Sequence, residues 1–300
     1  MTRRFIFAII CLLLSATNLS ATEPSILKSQ ELTVVYHGGL EQSARYAQRL
    51  YADSKQELQT LFQWPVPFRP TLVLINEQQH FRQLAGHPLV VAYALPSENL
   101  MVIDITRMTS KPFNLQATIK HELCHLLLHH HIKGERLPRW LDEGVCQWAS
   151  DGMADILLDT RRELLPAAIL SGRYFELASL EHGFPRDTNG LILAYEQSKS
   201  IVEYISRTYG QQAVLDLLEL LRQGNELESA VEKRFALTFD QLVSQWLEHL
   251  KKNINWFTYL SIHLYEILFV SAALLTILAY ILRVLRKKTY VDQSENSEDF

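Results

Sequence analysis

The sequence predicts an α+β fold: a small mixed β-sheet followed by a helical subdomain, with one further apolar helix near the C-terminus. Three observations point there. Short runs rich in branched apolar residues stand in the first third of the chain, broken by one long helical segment and by prolines. From Leu115 onward most segments repeat their apolar residues at helical spacing. Leu264 to Leu282 is nearly all Leu, Ile, Ala, Phe, Val and Tyr. Strands gathered ahead of helices is the order of an α+β domain rather than of alternating βα units.

The elements follow in chain order. Met1-Thr2-Arg3-Arg4 precedes an unbroken apolar run from Phe5 to Leu14, and Ser15, Ala16, Thr17, Ser20 and Ala21 come next. A basic start, a short apolar stretch and small residues form the pattern of an export signal, so residues 1–21 are expected to be a signal peptide cleaved after Ala21. Ten apolar residues are too few for a helix to cross about 30 Å of hydrocarbon; an uncleaved anchor is the competing reading. Cys11 follows Ile10 rather than a small residue, which argues against a lipoprotein site.

Leu32–Tyr36 reads as a strand, and Glu41–Phe62 as a helix with Ala44, Ala47, Leu50, Tyr51, Leu58, Leu61 and Phe62 on or near one face. Pro65, Pro67 and Pro70 interrupt the chain. Thr71–Ile75 is a strand and Glu77–Leu84 a short helix. Val90–Leu95 and Leu100–Ile105 are strands joined by the turn-like cluster Pro96-Ser97-Glu98-Asn99. No internal repeat or low-complexity segment stands out.

The C-terminal apolar segment has the length of a transmembrane helix, expected over 260–283. Trp256, Phe257 and Tyr259 precede it as interfacial aromatics, and Arg283, Arg286, Lys287 and Lys288 follow it. Basic residues mark the cytoplasmic side, so residues 284–300 are expected inside and the body outside. Glu266 and His263 lie at the outer end, where water reaches them. The chain is therefore expected in the inner (plasma) membrane, single-pass, with the lipid bilayer as a partner through this helix. The 300 residues are 48% apolar, enough for a sizeable core, and a net charge of −4 gives no sign of a nucleic-acid partner.

The chemistry lies in His121-Glu122-Leu123-Cys124-His125, an HExxH motif inside the helical segment Leu115–Leu128. Residues four apart share a helix face, so both imidazoles can reach one metal ion while Glu122 stands beside them to polarise a bound water. A catalytic zinc takes three protein ligands and keeps one open position. Two residues compete for the third place. Glu143 falls early in a second helix that Pro138 starts. His131 lies six residues past His125, the spacing of HExxHxxGxxH, but that pattern ends its helix at a glycine where this chain has Leu128. The run Leu126-Leu127-Leu128 continues the helix instead, which favours Glu143 and leaves His129-His130-His131 as a solvated helix end, near the negative end of the dipole.

HELCH followed by Pro138-Arg139-Trp140-Leu141-Asp142-Glu143-Gly144 resembles the gluzincin zinc metallopeptidases, especially their peptidase MA-like domains. Ala194-Tyr195-Glu196-Gln197-Ser198, then Ile201 to Ile205 and Tyr209-Gly210, is similar to that family's downstream helix. The segments around Val214–Leu221, Ala230–Leu237 and Leu242–Trp246 are similar to its C-terminal helices. The resemblance spans residues 31–250 and places the domain at 31–253. It implies a zincin-like fold, one zinc per chain on His121, His125 and Glu143, Glu122 as catalytic base, and a peptide or protein substrate. Tyr195, in the downstream helix, is the candidate oxyanion donor, or else a buried packing residue. The Gly-x-Met-Glu-Asn segment of the aminopeptidases in the wider clan is missing, so amino-terminal trimming is not implied. The competing function is a catalytically silent, membrane-tethered scaffold with the same fold.

Two smaller expectations concern neighbouring residues. Leu100–Ile105, just before the metal helix, is the candidate sheet edge for an extended peptide. Cys124 and Cys146 each lie three residues from a ligand; a disulfide between them would tie the two ligand helices together, and two buried thiols are the alternative.

Overall fold

A computed structural model describes residues 24–108, 113–150, 164–253 and 264–295. The expected signal peptide, Cys11, and the interfacial Trp256, Phe257 and Tyr259 lie outside these residues.

Five strands form one sheet in the order β1-β2-β3-β5-β4. They are β1 (Ser25–Lys28), β2 (Thr33–Tyr36), β3 (Thr71–Ile75), β4 (Ala92–Leu95) and β5 (Leu100–Asp104). The inner pairs β2/β3 and β3/β5 are parallel, and the outer pairs β1/β2 and β5/β4 are antiparallel. Strand β1 has no counterpart in the sequence reading; Ser25-Ile26-Leu27-Lys28 has only two apolar residues, adjacent and flanked by polar ones. Register places Val35 beside Val73 and Val73 beside Val102. With side chains alternating across the sheet, these three share one face, which packs with Phe81 from α2 (Gln78–Ala85).

The sheet edge is not the expected Leu100–Ile105. Strand β5 is flanked by β3 on one side and β4 on the other, so the edge strand is β4. A 3₁₀ turn over Pro96–Glu98, closed by Asn99 in the left-handed region (φ 50°), folds β4 back to the outside. The burial of all five β5 residues agrees with a strand covered on both faces, whereas β4 is largely half-exposed.

Helix α1 (Glu41–Phe62) matches the predicted span and buries Ala44, Ala47, Leu50, Tyr51, Ser54, Leu58 and Phe62 along one stripe. It packs on α3 (Leu115–His131), which begins where the Asn114 side chain accepts from the Gln116 and Ala117 amides. Helix α3 is buried on nearly every side from Leu115 to Leu128, between α1, the β4–β5 hairpin and α4 (Arg139–Ala149). The remaining body helices are α5 (Leu164–Ser171), α6 (Thr188–Tyr209), α7 (Gln211–Arg222), α8 (Leu227–Phe235) and α9 (Phe239–Asn253). A mixed sheet with a helical part is therefore the architecture that the strand-then-helix order predicts.

The chain divides into two compact units, Met1–Glu248 and His249–Phe300. The second contains α10 (Leu264–Glu295), in which Leu264–Arg283 is long and apolar enough to cross a membrane, with none of that stretch buried.

The most intimate helix contact is α4 on α6, and Gly144 makes it. A Cβ at Gly144 would lie 2.2 Å from the Ser198 carbonyl oxygen and 2.8 Å from Val202 Cγ2. Gly144→Ala must push the two helices apart. Overpacking of this kind costs about 1–3 kcal/mol, so thermal unfolding of Gly144→Ala should show a lowered midpoint. An unchanged midpoint would mean that the α4–α6 contact yields freely.

Candidate metal centre

Helices α3 and α4 converge on one small cluster. His121 and His125 project from the same face of α3, with their Nε2 atoms 3.1 Å apart. Glu143, from the second turn of α4, brings Oε2 to 3.5 Å from each of those nitrogens. These three residues form a group able to hold a metal ion. Tetrahedral ligands at zinc distances of about 2.0–2.2 Å stand about 3.3–3.5 Å from one another, and the observed triangle has nearly those edges. Glu143 Oε2 is buried and has no hydrogen-bond partner. A buried carboxylate oxygen without a donor is costly, and a cation in the triangle removes that cost. The donor set therefore fits a zinc ion.

The flanking groups orient the cluster. His125 Nδ1 and Asp142 Oδ1 are 2.7 Å apart, and Asp142 Oδ2 lies 3.0 Å from His129 Nε2. A proton on Nδ1 donated to Asp142 leaves Nε2 free for a metal, the usual carboxylate–imidazole arrangement around such sites. Arg139 Nη2 reaches Glu143 Oε1 at 2.6 Å, and the Tyr195 hydroxyl donates to the same oxygen at 3.2 Å. Glu122, 3% exposed, faces the same cavity of about 540 Å³, whose opposite wall is β4 with Pro96 and Ser97.

His131 is turned away from this cluster. Its Nε2 donates to the Pro65 carbonyl at 2.8 Å, and its ring packs on Trp64 with centroids 5.0 Å apart. His130 packs on Phe68 and His129 pairs with Asp142. The three histidines form the last turn of α3, yet each has a partner, which the reading of a merely solvated helix end did not anticipate.

Residues 86–252, more than half of the chain, match the family model of the Peptidase MA superfamily. The chain belongs to the Peptidase MA superfamily. Among solved structures it is similar to an M1 zinc metallopeptidase from Deinococcus radiodurans, at 15% identity and a TM-score of 0.38, covering 75% of this chain and 51% of that one. A mutant form of that enzyme bound to a Tyr-Ser-Ala substrate is similar at 15% identity and a TM-score of 0.35, with the same coverage. The chain thus spans about half the length of these structures. Comparison with curated proteins gives no match.

In this peptidase MA domain the charges are strongly coupled. Burial raises the Glu122 carboxyl above its ordinary range, while His121 and His125 pull it down and Glu143 adds to the rise. Burial would also raise Glu143, but the Arg139 guanidinium and the two imidazoles outweigh it and hold the group well below the usual carboxylate range. Asp142 is likewise lowered against burial, by His125 and His129. Burial works against a charged His125, yet Asp142 and Glu143 raise it well above the usual imidazole value. A metal ligand must be the neutral imidazole, so a metal loaded here would displace any proton held on that ring. Burial and the Glu143 charge push the Tyr195 phenol up, which keeps it a neutral donor.

Asp142 and Arg139 went unassigned in the sequence reading. Arg139 stands one helical turn before Glu143, a spacing that could have flagged it. Asp142 faces His125 through the packing of α4 on α3, which no local pattern encodes. Cys124 and Cys146 are both buried free thiols, and Cys146 Sγ lies 3.9 Å from Asp142 Oδ1; the alternative of two buried thiols is the one seen.

Metal analysis of the purified protein should find about one zinc per chain, as one three-ligand site implies. Glu143→Ala should lose most of the zinc affinity and His131→Ala should keep it. The opposite result would move the third ligand to His131.

Proposed function

We propose that this chain is a membrane-anchored zinc peptidase that hydrolyses peptide bonds of extracytoplasmic proteins or peptides. The observation that carries the reading is the triangle of His121 Nε2, His125 Nε2 and Glu143 Oε2 with Glu122 in the same cavity. Those three residues would hold the ion. When bound, zinc supplies Lewis acidity, lowering the pKa of a water from about 15.7 toward about 7 and polarising a carbonyl.

The chain's own groups do the rest. Glu122 accepts the proton of the attacking water and delivers it to the leaving amine. A carboxyl raised by burial can hold that proton between the two steps. Tyr195, a neutral donor facing the cavity, can turn its hydroxyl from Glu143 to the oxygen that gains charge. Among the described residues strand β4 has no further strand beside it along the cavity wall, and an extended peptide can add to that edge through backbone hydrogen bonds.

The proposed organisation is a signal peptide at 1–21, the peptidase domain at 31–253, a membrane helix at 260–283 and a cytoplasmic tail at 284–300. Its support is the apolar stretch Leu264–Arg283 together with Arg286, Lys287 and Lys288 after it.

Glu122→Gln should keep zinc and fold while losing activity by about 10²–10⁴-fold, the usual contribution of a general base. Comparing new N-termini in exported proteins from cells carrying wild type or Glu122→Gln would reveal the substrates. Equal turnover by both proteins would remove Glu122 from the mechanism, and no turnover by wild type would favour a silent scaffold.

Fusions test the topology. A reporter active only after export should work when joined after Gln245, and one active only in the cytoplasm should work after Tyr290. The reverse pattern would put the zinc site in the cytoplasm and change the substrate class.

A further inference from the structure

Arg139 breaks two local rules of helix electrostatics. It is the first residue of α4, where the positive end of the helix dipole disfavours a cation. It also precedes its partner Glu143 by four residues, the less favourable order for a cation–carboxylate pair on a helix. A residue that opposes its local setting is usually held by a site, and Glu143 holds Arg139. Its Nη2 meets Glu143 Oε1 at 2.6 Å, and the Phe184 ring lies 5.8 Å from the guanidinium carbon.

The two oxygens of Glu143 do different work. Oε2 faces the imidazole nitrogens and has no hydrogen-bond partner. Oε1 takes both Arg139 and Tyr195. A carboxylate with two free oxygens can rotate and offer either or both to a metal. With Oε1 engaged by a cationic, planar donor, rotation would break a charge-assisted bond. We infer that Arg139 is a positioning residue that restricts Glu143 to binding the metal through Oε2 alone.

The inference rests on the proposed zinc site. It has a consequence for Tyr195. With Arg139 on Oε1, the tyrosine can leave Glu143 for a substrate oxygen without stripping that buried oxygen of its last donor. Arg139 is not replaceable by a simple charge, because a lysine supplies a point cation rather than a planar fork.

The test uses the detergent-solubilised full chain. Zinc affinity is measured by competition with a chelator for wild type, Arg139→Met, Arg139→Lys and Glu143→Ala. Visible absorption of the cobalt(II)-substituted proteins is recorded alongside. Loss of an outer partner of a metal ligand weakens binding about 10–100-fold. Arg139→Met should fall in that range and change the cobalt spectrum, and Arg139→Lys should lie between it and wild type; metal-free thermal unfolding should drop for Arg139→Met, which leaves the buried Glu143 without its cation, and less for Arg139→Lys. Wild-type affinity and spectrum in Arg139→Met, with zinc lost in Glu143→Ala, would overturn the inference and leave the metal site standing. Full zinc affinity in Glu143→Ala would instead remove Glu143 from the metal site, and with it the reading on which the inference rests. Should Arg139→Met not fold, Arg139→Lys decides: a weaker affinity with a changed spectrum supports the role, and wild-type values for both overturn it.

Discussion

An ionised carboxylate taken out of water costs several kcal/mol unless cations and donors replace its hydration, and Glu143 is 2% exposed. Much of the surrounding arrangement answers that cost. Arg139 and Tyr195 cover one oxygen, and two imidazole nitrogens stand 3.5 Å from the other. Those groups come from α3, α4 and α6, so the helical part must hold three helices in fixed relation around one side chain. Gly144 lets α4 and α6 touch backbone to backbone next to Glu143. The buried stripe of α1 and the β4–β5 hairpin press on α3 from its other sides. Packing and electrostatics are therefore one problem here, because a shift of α4 against α3 would leave a buried charge without partners.

The sheet contributes position rather than chemistry. Parallel strands β2, β3 and β5 have cores on both faces and read as short apolar runs, Thr33–Tyr36, Thr71–Ile75 and Leu100–Asp104. The reversal at Pro96–Asn99 turns the chain from the outer strand β4 inward to β5, and β4 borders the cavity opposite the HExxH helix. An edge strand exposes unpaired backbone groups and usually needs protection. Along this cavity the same feature gives a place for a second extended chain.

What the sequence made legible follows the range of the interactions involved. Helix α1 was readable to the residue because an amphipathic stripe is local. The pairing of His121 with His125 was readable because helical geometry puts i and i+4 together. Pro138 marked the start of α4 because it cannot sit deep inside a helix. Which strand lies at the edge was not readable, since Val90–Leu95 and Leu100–Ile105 have similar composition and only tertiary pairing orders them. The apolar run of Leu100 to Ile103, with no polar alternation, was the available hint of a central strand. Asp142 was also out of reach, because its partners His125 and His129 lie 17 and 13 residues away on another helix. The histidine triplet shows the same limit: its composition suggests a wet helix end, whereas Pro65, Phe68, Trp64 and Asp142 receive it.

The charge balance joins these pieces. Three carboxylates, Glu122, Asp142 and Glu143, lie within the site, each at most 3% exposed. Arg139 supplies one permanent positive charge, and a divalent ion would supply two more, so a loaded site with neutral imidazoles on the metal closes near zero. Without the ion the carboxylates outnumber the one permanent positive charge beside them. The rise of His125 well above its ordinary value has the same origin, the Asp142 and Glu143 charges that face its ring. A metal bound at His125 would compete with a proton there, so its binding would be linked to proton release. The same ledger explains why Asp142 can be buried. Its charge is matched by whichever cation is present beyond the His125 ring, so the outer carboxylate, the imidazole and the metal position act as one electrostatic unit.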